Sequence, residues 1–86
     1  MKLDNFSADV QKFVNLFDAC LNSKISKDEV RAELSKESEK FNNEIFWALY
    51  NVRNSYETFR SGDGYCYYDK LLDIYKDCSP YYERCQ

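Results

Sequence analysis

The sequence lacks histidine and is poor in glycine and proline, with two glycines and one proline in 86 residues. Without histidine the chain has no side chain suited by default to acid–base catalysis near neutral pH, and it lacks the commonest metal ligand. Two glycines and one proline also supply little of the turn chemistry that a sheet of many strands requires. We therefore expect a helical protein that is not an enzyme and that holds no cofactor and no metal.

The four cysteines show no metal-binding pattern; they are Cys20, Cys66, Cys78 and Cys85. A four-cysteine zinc site has cysteines in closely spaced pairs, and this arrangement is absent here. The N-terminal stretch MKLDNFSADV has no long apolar segment of the secretory type, and no apolar run reaches membrane-spanning length. We expect a cytoplasmic protein with free thiols and no membrane contact.

The chain has 15 acidic and 12 basic residues, which gives a net charge of −3. A mildly acidic surface opposes binding to phosphate, so direct nucleic-acid binding is not expected, whereas a basic protein partner is compatible. Eight tyrosines, six phenylalanines and one tryptophan provide large apolar surfaces, several with a polar tip. Such side chains suit both the core of a small domain and protein interfaces.

Two helices are expected in the first half of the chain, at 6–22 and 27–40. In the first, apolar residues recur at helical spacing, and Asn5 or Ser7 can cap its start. In the second, Ser26 precedes Glu29 by three residues, which is the spacing of a capping box. The polar residue Asn42 or Asn43 can cap the helix that follows.

The third predicted helix, at 43–59, has the strongest apolar stripe in the chain. Its members recur at steps of three and four: Ile45, Leu49, Val52, Tyr56 and Phe59. We expect this to be the most buried helix, with the others packed around it. Trp47 and Tyr50 lie off the stripe and either enlarge the core, which we favour, or form an exposed aromatic edge.

A fourth helix is expected at 65–77, after a turn at Gly62–Gly64. Asp69, Asp73 and Asp77 recur at four-residue spacing and should form a negative line on its outer side. The residues after Pro80 should add one short turn. The sequence thus predicts an all-α protein, a compact antiparallel four-helix bundle formed by a single domain over 1–86.

Residues 13–30, FVNLFDACLNSKISKDEV, resemble the opening of the colicin D immunity protein family. In that family a helix rich in Leu and Phe leads through a Ser-Lys-Ile segment into a second helix with an acidic start. Glu44–Ala48 is similar to a stretch of the family's third helix, and the spacing of Leu71, Leu72 and Tyr75 is similar to its last helix.

The resemblance implies an immunity protein that neutralises a tRNA-cleaving toxin by covering its basic active site with acidic side chains. The family's acids occupy positions that match Tyr50, Arg53 and Ser55 here, so those roles do not transfer. We expect other residues to bind the partner, namely Glu57, Asp63, Tyr65, Tyr67, Asp69 and Asp73.

An alternative function remains compatible with the same residues. It is a helical interaction module, or a phage-encoded inhibitor or regulator, that has no cognate toxin. In either case the partner is a protein, and the chain itself is expected to be a monomer or a weak homodimer. An immunity gene should lie directly downstream of a toxin gene, which would separate the two alternatives.

The capping box yields a first testable prediction. Replacing Ser26 by Ala should remove the hydrogen bond to the backbone near Glu29 and lower the free energy of unfolding by about 1 kcal/mol. Thermal melts of the two forms measure this. Equal midpoints would show that no helix starts at this serine.

Overall fold

The computed structural model describes residues 6–58 and 62–82, except the side chains of 57, 58 and 62–64. Within these ranges the chain forms four α-helices and no strand. They are α1 (Ala8–Leu21), α2 (Lys27–Ser35), α3 (Glu39–Thr58) and α4 (Gly62–Cys78). One cluster of buried side chains draws on all four helices, so the predicted all-α bundle is confirmed.

Serine side chains cap the first three helices. The Oγ atoms of Ser7 and Ser26 each accept a hydrogen bond at 3.3 Å, from the backbone N–H of Val10 and of Glu29. Ser38 Oγ accepts at 3.1 Å from the backbone N–H of Phe41. Each bond satisfies a backbone donor that the first helical turn leaves without a partner. The predicted cap at Ser26 is confirmed, and Ser7 caps α1, whereas Asn5 lies outside the described residues.

The end of α1 is closed by a left-handed residue that is not glycine. Ser23 has φ of 63°, the only positive φ among the described residues other than glycine. The backbone N–H of Lys24 donates to the Ala19 carbonyl at 2.8 Å, and that of Ser23 donates to Cys20 at 3.0 Å. This is the Schellman arrangement, which usually places glycine where Ser23 stands.

Three predicted helix boundaries are wrong. The second helix ends at Ser35 and not at residue 40. Ser38 is not helical and caps α3, which therefore begins at Glu39, four residues earlier than expected. Gly62–Gly64 does not form the predicted turn but the first turn of α4, where glycine costs less than in a helix interior. The end of the third predicted helix at Phe59 lies outside the described residues, whereas a turn at Pro80–Tyr81 is present as expected.

The most buried helix is α4 and not, as predicted, α3. Helix α4 packs against each of the other three, most extensively against α3. Its buried side chains are Tyr68, Leu71, Leu72, Ile74, Tyr75 and Cys78. Tyr68, Leu71, Leu72 and Tyr75 recur at helical spacing and form an apolar stripe, and Ile74 and Cys78 lie beside this stripe. They widen the buried face enough for α4 to contact several neighbours.

Aromatic contacts connect the core across helices. The ring of Phe17 from α1 meets that of Tyr75 edge-on at 6.3 Å, and the rings of Tyr56 and Tyr68 stack at 5.6 Å between α3 and α4. Leu49, at the centre of the predicted stripe of α3, is fully buried as expected. Rings of this size let a short chain bury a large apolar area.

A buried amide holds three segments together where the sequence predicted a helix cap. Asn42 is fully buried, and its Nδ2 donates to the carbonyls of Leu34 at 3.2 Å and Ser38 at 2.9 Å. Its Oδ1 accepts from Ser79 Oγ at 2.9 Å. Asn42 therefore ties the end of α2 and the start of α3 to the residue that follows α4. Ser38, and not Asn42 or Asn43, is the cap.

The network predicts that Asn42→Ala will destabilise the fold by about 1–3 kcal/mol, because buried polar atoms would lose their partner. Urea unfolding measures the loss. The neighbouring Asn43 is exposed, so Asn43→Ala should change stability by no more than about 0.5 kcal/mol. Equal unfolding midpoints for the two variants would contradict a structural role for the Asn42 amide.

Candidate protein-binding surface

The outer side of α3 carries an exposed aromatic group, which we call the Trp47 surface. It consists of Phe46, Trp47, Tyr50 and Tyr82. Trp47 is 55% exposed and its ring meets those of Phe46 at 5.1 Å and Tyr50 at 5.4 Å, both edge-on. The rings of Phe46 and Tyr82 lie 5.8 Å apart. The favoured prediction of a core position is wrong for Trp47, which is exposed, whereas the half-buried Tyr50 packs against the core as favoured.

The Trp47 surface rests on the core and is held in place by it. The half-buried Phe46 ring stacks on Tyr50 at 5.8 Å and lies the same distance from the buried Tyr75 of α4. Tyr82 also contacts Tyr75, at 6.1 Å. Trp47 is therefore displayed on packed aromatic rings, which reduces the conformational entropy that it would lose on binding.

Arg53 extends the surface from α3 to α4. Its guanidinium lies 5.0 Å from the ring of Tyr50 and 5.2 Å from that of Tyr65, both within cation–π range. It also donates to Asp69 Oδ1 at 3.0 Å and to Asn54 Oδ1. The Arg53 side chain is only 18% exposed, so these contacts fix its position.

The structure brings only some of the predicted binding residues together. Tyr65 and Asp69 meet around Arg53, and the exposed Asp73 follows one helical turn after Asp69. Tyr67 is directed to α1 instead, where its hydroxyl donates to Asp18 Oδ1 at 2.6 Å. The other two predicted residues, Glu57 and Asp63, have side chains outside the described set.

The predicted negative line along α4 is partly neutralised by its neighbours. Asp69 forms a salt bridge with Arg53, and Asp77 forms one with Lys27 at 2.8 Å. The Asp77 carboxylate, through its hydrogen bond and its charge, raises the pKa of Lys27 above the ordinary lysine value. Among the described residues, Asp73 is the only member of the line without a salt bridge. The sequence could not show this, because both cations belong to other helices.

The described thiols are not grouped with acids into a metal site, and the buried one is not activated. Cys20, Cys66 and Cys78 are free, and Cys85 lies outside the described residues. Cys78 is buried with its Sγ 3.6 Å from the Lys27 carbonyl, and burial raises the pKa of this thiol, which disfavours a nucleophilic thiolate. In the part of the chain that is described, no three cysteine or carboxylate side chains are grouped to hold a metal ion.

None of the helices is both long and apolar enough to cross a bilayer, as far as the described residues extend. Comparisons of this chain with models of protein families, with characterised proteins and with solved structures found no match. The resemblance to the colicin D immunity family is therefore neither supported nor opposed by them.

Two aspartates on α4 provide a matched test of this geometry. Asp69→Lys would place a second cation beside the largely buried Arg53, and we expect a loss of about 1–2 kcal/mol after allowing for the partial exposure of Asp69. Asp73→Lys makes the same charge change at an exposed position and should cost no more than about 0.5 kcal/mol. Chemical denaturation of both variants tests this, and equal losses would contradict the role of the Arg53–Asp69 pair.

Proposed function

We propose that this protein binds another protein through its Trp47 surface and acts as an immunity protein that neutralises a toxin nuclease. The observation that carries the proposal is the 55% exposure of Trp47 on a packed aromatic base. Tryptophan, tyrosine and arginine are the residues most enriched among those that dominate the binding energy of protein interfaces. An exposed tryptophan supported in this way is well suited to fill a pocket of a partner.

Charge favours a basic partner. The chain carries a net charge of −3, and the acids Asp69 and Asp73 lie on α4 beyond the Arg53–Tyr65 contact that borders the Trp47 surface. A nuclease has a positive cleft for the phosphates of its substrate. Opposite charges at the border of the contact would speed association and orient the two proteins, while the aromatic anchor would slow dissociation.

This proposal assigns separate roles to the two kinds of residue. Asp73 is exposed and makes no described salt bridge, so it is the α4 acid best placed to meet a cation of the toxin. Asp69 already neutralises Arg53, and its main role is to hold the Arg53 guanidinium between the rings of Tyr50 and Tyr65. Neutralisation then follows from covering the nuclease cleft, so no catalysis by the immunity protein is required.

The proposal predicts that Trp47→Ala will weaken toxin binding by about 2 kcal/mol, which corresponds to roughly 30-fold in the dissociation constant. The ring is largely exposed, so the helical fold should persist. The measurement is binding kinetics with the nuclease encoded beside this gene, together with protection of cells that express both proteins.

Tyr81→Ala is the matched control, because Tyr81 is, among the described residues, the other large exposed aromatic and is 40% exposed. It should leave affinity within about twofold of the original. Equal weakening by the two variants would show that the interface is not centred on Trp47. If no neighbouring gene encodes a toxin and purified protein self-associates in sedimentation, with Trp47→Ala abolishing that association, the immunity assignment is wrong and the surface is a dimer interface.

A further inference from the structure

A second surface, remote in sequence from the Trp47 surface, lies between α1 and α2. It is a groove of about 430 Å³ with Leu16, Ile25 and Ala32 among its lining residues. Leu16 and Ile25 are half-buried against the core, and Ala32 is exposed, so the apolar floor faces open solvent. Charged side chains stand around this floor, namely Lys12, Glu29 and Glu33.

The groove continues along α1 into a neighbouring depression of about 280 Å³. The two share Lys12, and the half-buried Phe41 adds apolar surface to the second, beside the buried Phe13. On α1, Asp9, Lys12 and Leu16 follow at steps of three and four, so the groove runs along one helical face. Its length along that face is about two turns, or roughly 10 Å.

Acidic side chains dominate the rim. The two depressions are lined by four carboxylates, from Asp9, Glu29, Glu33 and Glu37, but by a single cation, Lys12. Glu33 is compensated by Lys36 at 3.3 Å in an exposed pair, which is worth little in water. No salt bridge is described for the remaining three acids in the ranges that the structure covers. The apolar floor is thus bordered by uncompensated negative charge.

We propose that the α1–α2 groove docks a basic amphipathic helix of a partner protein. Apolar side chains at helical spacing would cover Leu16, Ile25 and Ala32, while lysines or arginines on the flanks would meet the acidic rim. Helices commonly bind in grooves of this kind through anchors three, four and seven residues apart. The charge of the rim selects a basic occupant over an acidic one, since an acidic helix would be repelled. The groove draws on none of the Trp47 residues, so the proposal does not depend on the toxin assignment.

The test uses isotope-labelled full-length protein and a synthetic peptide of about four helical turns, with leucine on one face and lysine elsewhere. Amide resonances of residues around Leu16, Ile25 and Ala32 should shift on titration, and the Trp47 indole resonance should not. A peptide with glutamate in place of lysine should not bind. Absence of binding by the lysine peptide, or shifts centred on Trp47, would overturn the proposal.

Charge-reversal pairs separate specific docking from general attraction to an acidic protein. Glu29→Lys with Glu37→Lys should weaken peptide binding by about tenfold or more. Glu39→Lys with Glu44→Lys makes the same net change at exposed positions that do not line the groove and should weaken it by less than about threefold. Equal weakening by the two pairs would overturn the proposal.

A steric variant tests the floor without altering charge. Ala32→Trp would place a large ring over the groove at a position that is exposed, so the fold should be retained, as circular dichroism can verify. Peptide affinity should again fall by about tenfold or more. Unchanged affinity would show that the peptide is held by surface charge alone and that the groove is not its binding site.

Discussion

The burial of α4 against three neighbours is the constraint on which the rest of the structure depends. A chain of 86 residues has little interior, and one helix must therefore provide a packing surface for all the others. Helix α4 does so because Ile74 and Cys78 extend its apolar stripe sideways. The bond between Asn42 and Ser79 then joins the end of this helix to the α2–α3 connection, so that the burial of α4 also positions the two helices before it.

Among the described helices none packs over the side of α3 that carries Trp47, and the tryptophan is therefore exposed. Had α3 been surrounded, Trp47 would have been a core residue. Its outer face instead meets solvent, while Phe46 from the adjacent position packs on Tyr75 and supports the ring. A small protein that keeps a large aromatic side chain on such a support retains surface that only a partner would cover, which is the basis of the proposed binding function.

The same packing changes the electrostatics of α4. Considered alone, its aspartates form a line of like charge, but in the bundle two of them meet cations from other helices. Uncompensated acids remain at Asp73 and around the α1–α2 groove. The basic partner proposed above would therefore meet several separate acidic positions rather than one continuous stripe, and apolar contacts at Trp47 or in the groove would determine where it binds.

The sequence by itself determined the features that depend on neighbouring residues. Periodicity predicted the four helices and buried positions such as Leu49, and Ser26 was recognisable as a cap because its bond reaches only three residues ahead. One local feature was not predicted. The left-handed residue that closes α1 is usually glycine, and here it is Ser23. The cap predicted at Asn42 or Asn43 is instead Ser38, because Asn42 lies inside α3 and its amide is buried.

Only the tertiary structure decided the contacts that join distant parts of the chain. Side-chain hydrogen bonds join residues far apart in the sequence: Arg53 and Asp69 are separated by 16 residues, Asn42 and Ser79 by 37, and Tyr67 and Asp18 by 49. The exposure of Trp47 also depends on tertiary structure, since none of the four described helices packs over that face. Helical spacing predicts which side chains share a face of a helix. Which neighbouring helix packs on that face depends on how all four helices fill one core, and this cannot be predicted from a local sequence pattern.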